Sequence, residues 1–100
     1  MTIDEPLQTA LREVMDPETG INLVDLGLIR SAHKDPHGAV IVTMTLTTPA
    51  CPAGEMMVEG VKRRLLRVDG VADVEVEITF EPPWTPEEIT PAGRAELGWR

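Results

Sequence analysis

Cysteine is almost absent from this chain, which carries Cys51 alone among its 100 residues. A single cysteine cannot form an internal disulfide, so we expect a fold that is stable without that cross-link, in a reducing compartment. Long apolar runs are also absent, because no stretch approaches the roughly 18 residues that a membrane-spanning helix requires. Residues 1–5 carry acids where a signal peptide would carry Lys or Arg. These absences predict a cytoplasmic protein.

Positive charge is scarce, with 9 basic against 17 acidic residues and a formal net charge of −8. Such a chain repels phosphate backbones and anionic lipids, so we expect neither nucleic acid nor a membrane surface as partner. Four of the basic residues are crowded together at Lys62, Arg63, Arg64 and Arg67, and a solvated helix face explains them most simply.

Several catalytic signatures are missing too. There is no Gly-rich phosphate loop, nucleophile elbow or CxxC pair, so ordinary kinases, hydrolases and dehydrogenases find no support. His33 and His37 flank a turn without a partner at metal-ligand spacing, and surface or edge-strand positions suit them better than ligation. We therefore expect a protein that is not an enzyme.

The apolar residues that are present follow clear periods. Three-and-four spacing from Ile3 to Met15 predicts a first helix that ends before Pro17. Thr2 and Glu5 fit a capping box at its start. A second helix is predicted from about residue 53 to 68, where Met56 and Met57 are expected to fill the core.

Alternating residues predict three strands, over residues 26–34, 40–47 and 74–80. Asp35-Pro36-His37-Gly38 fits a type I turn and joins the first two strands in a hairpin, with Thr43 and Thr45 on the outer face. The third strand presents Glu75 and Glu77 to water. The order α-β-β-α-β predicts an α+β fold, a small two-layer sandwich with both helices on one face of the sheet.

The last fifth of the chain is rich in proline and cannot continue a strand. We expect one domain over residues 1–100, on which the 81–100 tail is packed through Trp84 and Trp99. The alternative is that these two tryptophans contact a partner protein. Thr90 and Pro91 can cap and begin a short final helix.

Cys51 is the strongest candidate for chemistry. It lies between Pro49 and Pro52, at a strand-to-helix connection where backbone N–H groups favour a thiolate. The alternative is a buried cysteine that serves as a small hydrophobic residue. Thr47 and Thr48 can hydrogen-bond the loop or a ligand, although β-propensity and loop capping also explain them.

A second candidate group is the acidic turn in which Asp16 and Glu18 flank Pro17. An Asp at such a position often only accepts hydrogen bonds from nearby backbone N–H groups. If the first helix packs beside the second, this turn approaches Cys51. A carboxylate, a hydroxyl and a thiolate together would suit metal binding or proton transfer.

Longer segments of the chain resemble the SufT–PaaD metal–sulfur cluster biosynthesis family. These are LREVMDPE at 11–18, NLVDLGLI at 22–29, TMTLTTPACP at 43–52 and FEPPWTP at 80–86. The resemblance implies an α+β fold and a role in the maturation of iron–sulfur proteins. The family's shared aspartate and glutamate fall on Asp16 and Glu18, its threonine pair on Thr47 and Thr48, and its cysteine on Cys51. Asp25 lies in a family motif but is expected to serve only its local turn.

The resemblance also implies partners and a cargo: iron–sulfur scaffold proteins, recipient apoproteins, and a transient iron–sulfur cluster or iron that is not stably bound. Ordinary cluster sites use about four protein ligands, so Cys51 would supply one, and a scaffold, a recipient or the second subunit of a homodimer the rest. PaaD-type relatives carry extra C-terminal cysteines, and their absence here favours a short SufT-like protein.

Two other functions stay open at this point. The first is an adaptor that joins scaffold and client proteins without touching iron. The second is a thiol-based enzyme or redox sensor, which would lack a resolving cysteine and an evident His partner.

Overall fold

The secondary structure of a computed structural model agrees with the predicted fold class. The structure describes residues 2–47 and 53–98. Within them the chain forms β1 (Thr2–Ile3), α1 (Glu5–Leu11), β2 (Ile29–Lys34), β3 (Ala39–Met44), α2 (Gly54–Leu65), β4 (Asp73–Ile78), a 3-10 turn (Pro86–Glu88) and α3 (Pro91–Glu96). The α+β class and the predicted order α-β-β-α-β are confirmed, with one short strand added at the start. None of the helices in these ranges is long and apolar enough to cross a membrane.

The strands are arranged in the order β1-β2-β3-β4. The β2–β3 pair is the predicted antiparallel hairpin, whereas β1 and β4 each run parallel to their neighbour. The Asp35 carboxylate closes the hairpin turn by accepting hydrogen bonds from His37 N at 2.8 Å and Ala39 N at 3.0 Å. Gly38 completes the turn at φ +89°, a conformation that glycine adopts without steric cost.

The predicted start of the first helix is wrong. Ile3 is paired with Ala32 in β1, so the helix begins only at Glu5, and Asp4 rather than Thr2 occupies its N-cap position. The Asp4 side chain makes no cap hydrogen bond; its carboxylate accepts one from Lys34 N at 3.0 Å instead. The open edge of β2 offers residues 2 and 3 backbone partners that sequence periodicity does not reveal.

The core lies between the two long helices and one face of the sheet, as predicted. It includes Leu7 and Leu11 of α1, Val61 and Leu65 of α2, and Val40, Val42 and Met44 of β3. Each such side chain stabilises the fold by about 1.5–3 kcal/mol through removal from water. Ile41, on the opposite face, is 48% exposed. Because α1 packs against α2, the turn that follows α1 is brought to the side of α2.

The predicted alternation fails at the end of β3. Met44, Thr45 and Leu46 are all buried. The prediction that Thr45 lies on the outer face of the sheet is therefore wrong. The regular strand ends at Met44, and Thr45 N donates to Leu28 O at 2.8 Å. Beyond the regular strand, a period of two no longer determines which side chains are buried.

The segment after β4 contacts the body at several points. Trp84 Nε1 donates to Leu26 O at 2.8 Å, and Arg30 donates to Pro82 O at 2.8 Å and to Glu88 Oε1 at 2.7 Å. Ile89 is buried in the main core. Thr90 caps α3 by accepting a hydrogen bond from Gly93 N at 3.1 Å, as its sequence position predicts. Trp99 lies outside the described residues.

Candidate functional site

The acidic turn that follows α1 is held by its own backbone and by Asp16. Asp16 N donates to Ile21 O at 2.9 Å, and Asp16 O accepts from Gly20 N at 2.8 Å. The Asp16 carboxylate is buried, and its Oδ1 accepts from Glu18 N at 2.8 Å. Glu18 itself is exposed. Asp16 therefore accepts a hydrogen bond from a nearby backbone N–H group, which is the alternative that the sequence left open for it.

The loop with the candidate thiol is described at its two ends. Thr48 and Cys51 lie outside the described residues, within the 48–52 gap, while Thr47 is exposed at its leading end. Leu46 before the gap and Gly54 after it are in close contact: a Cβ on Gly54 would lie 2.9 Å from Leu46 Cδ1. The chain therefore leaves the sheet and enters α2 at nearly the same place.

The start of α2 agrees with the sequence prediction. The helix begins at Gly54 after the N-cap residue Ala53, which makes no side-chain cap hydrogen bond. In the chain, Cys51 comes three residues before Gly54, the first residue of α2.

The acidic turn lies beside this helix. Val14, Met15 and Pro17 line the same open groove of about 740 Å³ as Met56 and Met57 from the beginning of α2. The approach is close, because a Cβ on Gly60 would lie 3.2 Å from Val14 Cγ1. The sequence hypothesis required α1 to pack beside α2, and this packing is present.

An ion pair joins the two elements on the same side. Arg64 donates to Glu13 Oε2 at 2.7 Å. This hydrogen bond, together with the guanidinium charge, holds the pKa of the Glu13 carboxyl below its usual value and raises the pKa of Arg64. Arg64 is therefore a structural contact, whereas Arg63 and Arg67 are exposed as predicted for a solvated face.

Metal donors are dispersed over the part of the chain that the structure describes. No group of three His, Cys, Asp or Glu side chains is arranged there to hold a metal ion. His33 Nδ1, on β2, lies 3.1 Å from Oδ1 of Asp4, which follows the edge strand β1. The described residues thus do not supply a cluster ligand set by themselves.

Asp25 has a larger role than its sequence position indicated. Its carboxylate accepts from Asn22 Nδ2 at 2.7 Å and from Thr90 Oγ1 at 2.9 Å, and its carbonyl accepts from Thr90 N at 2.8 Å. It thereby joins the 22–28 loop to the start of α3. No local signal reveals a partner so distant in the chain.

The prediction that Met56 and Met57 both fill the core is wrong for Met56. Met57 is buried in the core, but Met56 is 67% exposed at the groove. The helical period indicates this exposure, because Met56 lies outside the apolar stripe formed by Met57, Val61 and Leu65.

Comparison with known proteins places these features in a family. Residues 4–78 match the family model described as iron-sulfur cluster assembly protein. The chain belongs to this iron–sulfur cluster assembly family. The family resemblance drawn from its motifs is confirmed.

Individual relatives agree with this assignment. The chain is 41% identical over 96 residues to an Fe-S protein maturation auxiliary factor of Porphyromonas gingivalis, covering 96% of this chain and 91% of that protein. It is 39% identical over 85 residues to the Fe-S protein maturation auxiliary factor SufT of Staphylococcus aureus, covering 85% and 97%. The crystal structure of a domain of unknown function from Bacillus anthracis superposes with a TM-score of 0.88 at 35% identity, covering 94% and 90%.

Proposed function

We propose that this chain is an accessory factor in iron–sulfur cluster assembly, or in cluster transfer to recipient apoproteins, without catalytic activity of its own. Cys51 supplies one transient ligand to the cluster, which is cargo and not a resident cofactor. The proposal rests on the sequence position of the chain's one thiol, Cys51, between Leu46 and Gly54, which are packed together where α2 begins. The maturation-factor names of its relatives support the same function.

The ligand count requires a second molecule. A cluster is usually held by about four protein ligands, and this chain offers one thiolate. A scaffold protein, a recipient apoprotein or a second copy of the chain supplies the others. Such incomplete ligation favours transfer, because the cluster moves to whichever partner completes its coordination.

The other candidate residues assist this thiol in the proposal. The helix N-terminus after the loop stabilises the thiolate, and the reducing cytoplasm keeps it free. Asp16 and Glu18 act as oxygen ligands or proton acceptors during exchange, since their turn lies beside the start of α2. Thr47 and Thr48 shape the loop by hydrogen bonding to its backbone.

The first test is anaerobic reconstitution with iron and sulfide, followed by absorption spectroscopy, of the native chain and of Cys51→Ser. We expect a chromophore in the native protein that is lost in the variant. As a matched control, Ser31→Cys in the Cys51→Ser background restores one thiol on the outer face of the sheet and should not restore the chromophore. Equal chromophores in all three proteins would reject Cys51 as the ligand.

The second test is complementation of a strain from which the gene has been deleted, with the activity of iron–sulfur enzymes as readout. Cys51→Ser should restore little activity. Full restoration would favour the adaptor function, for which the exposed groove along α2 is the supporting observation. The redox alternative predicts a lowered pKa for the Cys51 thiol, and an ordinary value of about 8.5 would count against it.

A further inference from the structure

The groove along α2 combines apolar exposure with positive charge. Three of its lining side chains are large, apolar and exposed to at least half: Met15 at 52%, Met56 at 67% and Leu66 at 50%. A folded chain gains free energy by burying such groups, so their clustering around one groove marks an interaction surface. Methionine is flexible and polarizable, and it adapts to the side chains of a partner.

The charge of the groove is opposite to that of the protein. The chain has a formal net charge of −8, yet the groove is lined by Arg63, Arg64 and Arg67 against Glu13 alone. Arg64 is bound to Glu13 at 2.7 Å. Arg67 forms no salt bridge within the described part of the chain, and Arg63 has only a loose surface contact with Glu59 at 3.9 Å. Arg63 and Arg67 are thus less engaged than Arg64, since Arg67 acts on Glu13 only through its charge.

We propose that this groove docks an acidic, amphipathic segment of a partner protein. Apolar side chains of that segment pack on Met15, Met56 and Leu66, and its carboxylates pair with Arg63 and Arg67. Charge complementarity selects this occupant: a basic segment would be repelled by the arginines, and an uncharged one would leave them without partners. The inference goes beyond cluster chemistry, because binding to the groove requires neither iron nor Cys51.

The test uses the full-length protein, without iron, against a phage-displayed library of random 16-residue peptides. We expect the selected peptides to be enriched in Asp and Glu together with Leu, Met or Phe. Binding of the leading synthetic peptide, measured by fluorescence anisotropy, should weaken as NaCl is raised, because salt screens exposed charges. A selection without acidic enrichment would overturn the proposal.

Matched variants locate the binding site. Arg67→Glu should weaken peptide binding about tenfold or more. Lys62→Glu makes the same change of charge on α2, outside the groove, and should weaken binding less than about threefold. Met56→Ser should also weaken binding, and Ile41→Ser, on the outer face of the sheet, should not. Equal effects within either pair would overturn the proposal.

Self-association is the competing occupant, and sedimentation velocity tests it. A monomer for both the native chain and Arg67→Glu supports the partner segment. A native dimer that Arg67→Glu dissociates would overturn the proposal in favour of a second copy. Retention of peptide binding in Cys51→Ser separates this inference from the proposed thiol chemistry.

Discussion

Two glycines with the same backbone conformation provide a sharp test of how the tail is held. Gly20 and Gly27 have φ values of +73° and +78°, so alanine at either position incurs the same left-handed strain. That strain costs roughly 1–2 kcal/mol, offset by about 0.4–1 kcal/mol because alanine restricts the unfolded chain. At Gly20 an added Cβ meets nothing within 4 Å. Gly20→Ala should therefore lower the unfolding free energy by about 1 kcal/mol.

At Gly27 the same Cβ would lie 2.5 Å from the backbone oxygen of Glu88. A backbone oxygen cannot rotate away as a side chain can, so the 3-10 turn must move and strain its contacts. Those contacts include buried Ile89, worth about 1.5–3 kcal/mol, and the hydrogen bonds of Arg30 and Trp84, each worth about 1 kcal/mol. Partial loss of this set adds about 2–3 kcal/mol, so Gly27→Ala should cost about 3–4 kcal/mol in total.

Urea denaturation followed by far-UV circular dichroism measures both variants. Trp84 fluorescence in a Trp99→Phe background reports the tail separately, and its emission should shift to the red in Gly27→Ala but not in Gly20→Ala. If the two substitutions cost the same within about 0.5 kcal/mol, and Trp84 emission is unchanged, the close contact with Glu88 does not hold the tail.

Two further predictions concern hydrogen bonds. Thr90→Val removes the α3 cap and the bond to Asp25, and should lower the unfolding free energy by about 2 kcal/mol in urea titrations; a loss below about 0.5 kcal/mol would contradict the role assigned to this contact. Backbone N–H donors hold the carboxyl pKa values of Asp4 and Asp35 below their usual value of 3.8, so their stabilisation is present above that pH and is lost as pH falls through the lowered pKa values. Unfolding free energy measured from pH 6 to pH 2 should fall in the acid range, less steeply in Asp35→Asn than in the native chain, and an identical slope would refute the assignment.

Local patterns were sufficient for much of the fold. The hairpin turn at 35–38 depends on Asp35 and Gly38, whose preferences act within four residues. The apolar stripe of α2 predicts which face of that helix is buried, and the alternation of Val40 and Val42 does the same for β3. Both predictions work because helix and strand periods are properties of the local backbone. The order of elements and the α+β class follow from these patterns, and the family motifs around Asp16 and Cys51 supplied the candidate site.

Tertiary packing decided the rest. Residues 2 and 3 become a strand only because the edge of β2 leaves backbone groups for them to bond, and Asp25 finds Thr90 only once the tail has returned to the 22–28 loop. The groove likewise exists because α2 passes close to Val14 and leaves Met15 and Met56 outside the core. Hydrogen bonding and charge pairing between distant segments depend on where the folded chain places them, and no window of the sequence contains that information. The sequence by itself thus indicated the candidate residues, and packing determined which of the described residues are in contact.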